Sequence, residues 1–180
     1  MTRAKLLLPL LSLPMLACAA EAQDRGSDEV GRALCPLGYH AIPMTATKSG
    51  HHVAPVTVNN VPGTFVIDTG AGVSVIHAPL ADRFGLKPQK GFVRGVAVGA
   101  GGSTSASILS ASPITVGGMA VGERRLFSTD LGQAVAALKQ LSGTDVQGII
   151  GQDILRAEHA VVDVRSSVLY LQAEGPKPAC

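Results

Sequence analysis

Residues 65–76 read FVIDTGAGVSVI and set one carboxylate, Asp68, between two apolar runs. An ionised carboxylate is strongly disfavoured among apolar groups unless donors and partners surround it. The chain must therefore hold Asp68 in a short loop between two arms, Phe65-Val66-Ile67 before it and Val73, Val75 and Ile76 after it. β-branched residues dominate both arms, which read as strands.

Short apolar runs cut by turn residues continue along the chain. Residues 53–67, VAPVTVNNVPGTFVI, predict a hairpin turning in Asn59-Asn60-Val61-Pro62-Gly63, with a second strand that delivers Asp68. Residues 78–86, APLADRFGL, have a short helical look and are stopped by Gly85. In residues 92–109 two strand-like arms flank Gly99, Gly101 and Gly102, and the glycine density predicts a mobile hairpin end. This is not a phosphate-binding loop, because no Lys-Ser or Lys-Thr follows and no helix opens after it. Residues 113–127 repeat the strand-turn-strand pattern around Gly117-Gly118. Residues 131–141, LGQAVAALKQL, are the one convincing longer helix, with Val135, Leu138 and Leu141 near helical spacing and Gly143 ending it. VQGIIGQDIL, 146–155, is an apolar strand, a glycine and a brief helix with Asp153 near its start. Residues 160–172 close as a hairpin turning at Arg165-Ser166-Ser167.

Strands dominate this order and no βαβ alternation appears, so a doubly wound parallel sheet is not expected. With 21 glycines, no Trp and few aromatics among 180 residues, the expected core is Val, Ile, Leu and Ala in one small β-rich domain. The net charge of +2 comes without a basic run, which gives no reason to expect a nucleic-acid partner.

The first residues read as an export signal. Arg3 and Lys5 precede an apolar stretch at 6–17 that is too short to span a bilayer comfortably, and Ala20-Glu21-Ala22 fits an A-x-A cleavage site. Residues 1–22 are thus expected to be removed, leaving a periplasmic or secreted protein. Acylation of Cys18 is the rival reading, and only then would the mature protein meet a membrane. Residues 23–50 read as a loosely ordered leader, and 51–175 as the folded domain. Two cysteines remain, Cys35 and Cys180. In an oxidising compartment they can pair with each other, join two chains, or stay unrelated thiols. His51 and His52 read as exposed linker residues, since adjacent strand side chains point to opposite faces and seldom share an ion. His40, His51, His52, His77 and His159 show no recognised ligand spacing, so neither a metal nor a cofactor is expected. No motif supports a Ser or Cys nucleophile.

FVIDTGAGVSVI, followed some 80 residues later by GIIGQDIL, resembles the retropepsin-like aspartic proteases, nearest to their single-domain secreted or periplasmic bacterial branch. The resemblance spans roughly residues 52–172. It implies a mainly β fold, a closed acid-protease barrel with a flap hairpin and one or two short helices. It implies that Asp68 is catalytic, that Thr69, Gly70 and Ala71 support it, and that Ile149-Ile150-Gly151 is the strand beside the loop. It makes the hairpin around Gly99, Gly101 and Gly102 the flap, and Asp153 a structural carboxylate. Thr69 would point its hydroxyl at a partner loop. In such an enzyme two carboxylates share one proton, one activating water and the other polarising the scissile carbonyl. This chain holds one Asp-Thr-Gly and is too short for two lobes, so an active form is expected to be a homodimer acting on peptide or protein. Relatives usually carry Ser, Thr or Asp where this chain has Gly72, and Ser74 is the nearby candidate to substitute for that side chain. A retained fold that only binds peptides, as an envelope interaction module, is the alternative function.

Overall fold

The computed structural model describes residues 29–87, 95–99, 102–111, 113–122, 124–172, 178 and 180. The export signal at 1–22 with Cys18, the beginning of the leader, and Gly101 lie outside the described residues.

Thirteen strands occur among the described residues. They are β1 (His40–Pro43), β2 (Thr45–Ala46), β3 (His52–Val58), β4 (Val61–Ile67), β5 (Val75–His77), β6 (Gly95–Gly99) and β7 (Gly102–Ala111). There follow β8 (Ile114–Val116), β9 (Met119–Ala120), β10 (Arg124–Thr129), β11 (Gly148–Ile150), β12 (Val161–Asp163) and β13 (Val168–Leu171). Residues 29–34 form helix α1, Gly132–Ser142 form α2 and Gln152–Ala157 form α3. The fold is mainly β and is dominated by one large sheet. That sheet runs β6-β7-β10-β5-β11-β4-β3-β8-β9, with β2 on β3, and a smaller sheet runs β1-β13-β12.

Period-two alternation explains the unbroken apolar run before Asp68. Phe65 and Ile67 face the main core with Ala54, Val56 and Val58, and Val66 faces the other side with Val53. α2 covers that second side through Leu138, so at the Val53–Val66 pair both faces of the β3–β4 ladder are buried and apolar, whereas Pro55 and Pro62 further along are exposed. In the main core Phe65 meets Phe84 edge to face, ring centroids 6.2 Å apart. Gly143 ends α2 in the left-handed region, φ 70°, and donates its N–H to Lys139 O. Leu141, expected on the buried face, is 64% exposed, because only one turn of α2 reaches the sheet.

Several boundaries differ from the sequence reading. The β3–β4 turn is only Asn59-Asn60, both with positive φ (49° and 63°), and Val61-Pro62-Gly63 belong to the strand. Asn tolerates the left-handed region, which is what a tight two-residue hairpin turn needs. Residues 78–84 form two 3₁₀ turns, Ala78–Leu80 and Asp82–Phe84, with Gly85 closing the second at φ 64°. The expected loose leader is structured from residue 29: β1 pairs with β13, and Ile42 and Met44 enter the core. His52 is likewise no linker residue, since it lies half-buried in β3 opposite Ala46. Cys35 and Cys180 are joined by a disulfide across 145 residues, Cα atoms 5.8 Å apart.

Candidate active site

β11 lies between the two arms that flank Asp68. It pairs in parallel with β4, Ile150 beside Ile67, and antiparallel with β5, Ile149 beside Val75. Residues 68–74 therefore bridge two strands that are not neighbours, and the Asp68 N–H is fixed to Ile150 O at 3.0 Å. Gly148 has the Phe65 ring and Val75 O where a Cβ would be, so the strand fits only with glycine there. Gly151 passes beneath the loop: a Cβ on it would lie 2.6 Å from the Val73 carbonyl and 2.9 Å from Ala71 O. Ile150 and Gly151 thus meet the Asp68 loop directly, while Ile149 pairs with Val66 and Val75 in the arms on either side.

The loop turns back on its own carboxylate. Gly70 N–H donates to Asp68 Oδ1 at 2.8 Å, and Ala71 N–H to Asp68 O at 3.3 Å. Asp68 is half-buried, while Thr69, Gly70 and Gly72 are exposed. The burial cost is reduced in two ways, by a donated N–H and by an open side to water. Within this chain the exposed Thr69 accepts, through its carbonyl, a 2.8 Å hydrogen bond from Gln152 Nε2.

Ser74 does not stand in for the side chain missing at Gly72. It is fully buried on the inner side of the loop, its hydroxyl accepting from Gly151 N–H (2.9 Å) and donating to Asp153 Oδ1 (2.7 Å). Asp153 Oδ1 also accepts from Ile154 N–H at 2.9 Å. A buried serine with both roles satisfied braces the loop and is not available to a ligand. Gly72 itself is open, with nothing within 4 Å of where a Cβ would be, and Val73 beside it is 38% exposed. The face around Asp68 therefore presents an apolar side chain and a bare backbone at these two positions.

Above β5 the sheet continues through β10 into β7, Phe127 standing opposite Ile108. Only residues 107–111 of β7 pair with β10; residues 102–106 pair with β6 alone, Gly102 opposite Gly99. Among the described residues the β6–β7 hairpin thus continues beyond its sheet neighbour.

Gln152 and Arg156 were not picked out in the sequence, where a lone polar residue after a glycine looks like any helix opening. In the structure Gln152 reaches the loop twice, its N–H to Ala71 O and its Nε2 to Thr69 O, both 2.8 Å. Arg156 Nε in turn donates to Gln152 Oε1 at 3.1 Å. A pocket of about 350 Å³ opens beside them, bordered by Thr69, Gln152, Arg156 and His159.

The aspartyl protease family profile matches residues 54–154, more than half of the chain. No curated protein matches it. Three similar solved structures are a retropepsin-like aspartic protease from Rickettsia conorii, EIAV protease complexed with the inhibitor HBY-793, and the retroviral protease-like domain of Ddi1 from Leishmania major. The first is 18% identical with a TM-score of 0.47, covering 74% of this chain and 89% of that one. The second is 21% identical with a TM-score of 0.44, covering 58% and 84%. The third is 22% identical with a TM-score of 0.47, covering 66% and 86%.

Proposed function

The chain belongs to the aspartyl protease family, and from that premise we propose that it is an exported endopeptidase whose active form is a homodimer. Two copies each contribute Asp68 to one site. The observation that carries this reading is the Asp68 loop. One carboxylate is held at an exposed face, its Oδ1 already accepting Gly70 N–H, and the sequence supplies no second Asp-Thr-Gly.

In the dimer two carboxylates at close range cannot both ionise, so they hold one proton between them. The charged one takes a proton from a water, and that water attacks the peptide carbonyl. The protonated one donates to the carbonyl oxygen as charge develops there, and the proton taken from the water passes to the amide nitrogen as the tetrahedral adduct collapses and the C–N bond breaks. No covalent intermediate forms on the protein. The β6–β7 hairpin covers an extended peptide, which hydrogen-bonds through its main chain like an added strand, and closure excludes water. The Cys35–Cys180 disulfide supports an oxidising compartment, in keeping with export.

A diverse peptide library is the test, with wild type and Asp68→Asn side by side and a pepstatin-type inhibitor as a further arm. Wild type cleaves; Asp68→Asn loses cleavage and keeps its circular dichroism and melting temperature. Persistent cleavage by Asp68→Asn would sink the mechanism. Activity per subunit falls on dilution below the dimer dissociation constant, and a concentration-independent specific activity contradicts the shared pair. The open Gly72 favours one second reading, a peptide-binding module that holds extended peptides and cuts none from acid to neutral pH.

A further inference from the structure

Gln152 is the one side chain of α3 hydrogen-bonded to the exposed rim of the Asp68 loop among the described contacts. Its backbone N–H and its Nε2 grip Ala71 O and Thr69 O, the carbonyls on either side of Gly70, and Gly70 is the residue whose N–H meets Asp68 Oδ1. The opposite end of the amide is held by Arg156, one helical turn on. The task needs a donor towards Thr69 and an acceptor towards Arg156 on one side chain. A carboxamide supplies both without charge, whereas an ionised carboxylate has no donor and an ammonium no acceptor.

We propose that Gln152, oriented by Arg156, is a positioning residue that sets the direction of the Gly70 N–H and hence of the Asp68 carboxylate. The inference rests on the reading of Asp68 as the reacting group. It separates two braces of one loop: Ser74 and Asp153 hold the buried side, and Gln152 and Arg156 hold the exposed side. Loss of the buried brace unfolds; loss of the exposed one misaims.

The test uses the full dimeric protein with Gln152→Ala, Gln152→Glu and Arg156→Ala. Gln152→Ala is expected to lower kcat roughly fivefold to tenfold, the scale of one lost hydrogen bond, with KM and melting temperature close to wild type. Amide exchange across residues 68–71 accelerates in the same variant. Gln152→Glu is impaired near neutral pH and recovers relative to wild type as pH falls, because a protonated carboxyl regains the donor and keeps the acceptor. Gln152→Ala shows no such recovery, and Arg156→Ala falls between it and wild type. Wild-type kcat together with wild-type exchange in Gln152→Ala overturns the proposal. Should Gln152→Ala fail to fold, the isosteric Gln152→Glu carries the test, and a flat ratio to wild type across pH overturns it. Exchange is read without substrate, so a protein that cleaves nothing still reports whether Gln152 holds the loop.

Discussion

At the scale of single residues, two glycines near Asp68 have opposite meanings. Gly151 has ordinary extended backbone angles, φ −106° and ψ −171°, so any residue can adopt its conformation. Space is what it lacks, because a Cβ there meets the backbone of Val73 and Ala71. Backbone cannot swing aside as a side chain does, so Gly151→Ala is expected to destabilise by about 1–3 kcal/mol. Gly72→Ser enters open space and should stay within about 0.5 kcal/mol of wild type. Urea midpoints of the two variants settle it, and equal midpoints would contradict the packing argument. The place of Asp68 in a loop between two strands was legible in the sequence, because a lone carboxylate between apolar runs needs an explanation. The role of Ser74 was not, since only the insertion of β11 brings Gly151 N–H and Asp153 to its hydroxyl.

At the scale of elements, the β12–β13 hairpin is closed by one carboxylate. Asp163 accepts from the Ser166 hydroxyl and from the N–H groups of Ser166 and Arg165. Those bonds, the Ser166 hydroxyl first, hold its pKa below the ordinary 3.8. A lowered carboxylate pKa stabilises the fold above the unfolded value, and the contribution disappears as pH falls through the folded one. The melting temperature of wild type should therefore exceed that of Asp163→Asn above about pH 4, with the gap closing in stronger acid. A gap that is constant with pH would assign the effect to shape alone. The hairpins themselves were readable from their turn residues. Their limits were not: Val61-Pro62-Gly63 looks like turn chemistry, yet two asparagines in the left-handed region already complete the reversal. The same applies to Leu141, whose helical spacing is right but whose end of α2 extends past the sheet.

At the scale of the whole molecule, the Cys35–Cys180 bond ties the turn that follows α1 to residue 180. On the loop-entropy account a closed loop of this length contributes up to about 5 kcal/mol by restricting the unfolded chain. The Cys35→Ser, Cys180→Ser double variant should unfold at clearly lower denaturant than wild type, and wild type with reductant should match it. An unchanged midpoint would mean that the bond does not persist in solution. The two ends were hard to judge from sequence because residues 40–46 alternate too briefly to signal strands. The partner of β1, β13, lies more than 120 residues away, and Ile42 is buried there with Gly117 close against it.

The position of β11 also has a consequence in time. Some 70 residues separate β5 from the strand that must enter between β5 and β4. While a chain is being synthesised, its first two arms have nothing between them, and a gap of roughly two strand spacings, about 10 Å, has to wait for residues 148–150. Contacts this distant in sequence form slowly. The Asp68 loop cannot take its final shape until then, because Ile150, Gly151 and Gln152 supply its fixings. In a nascent chain the Asp68 loop therefore stays without its fixings until residues 148–152 have been made.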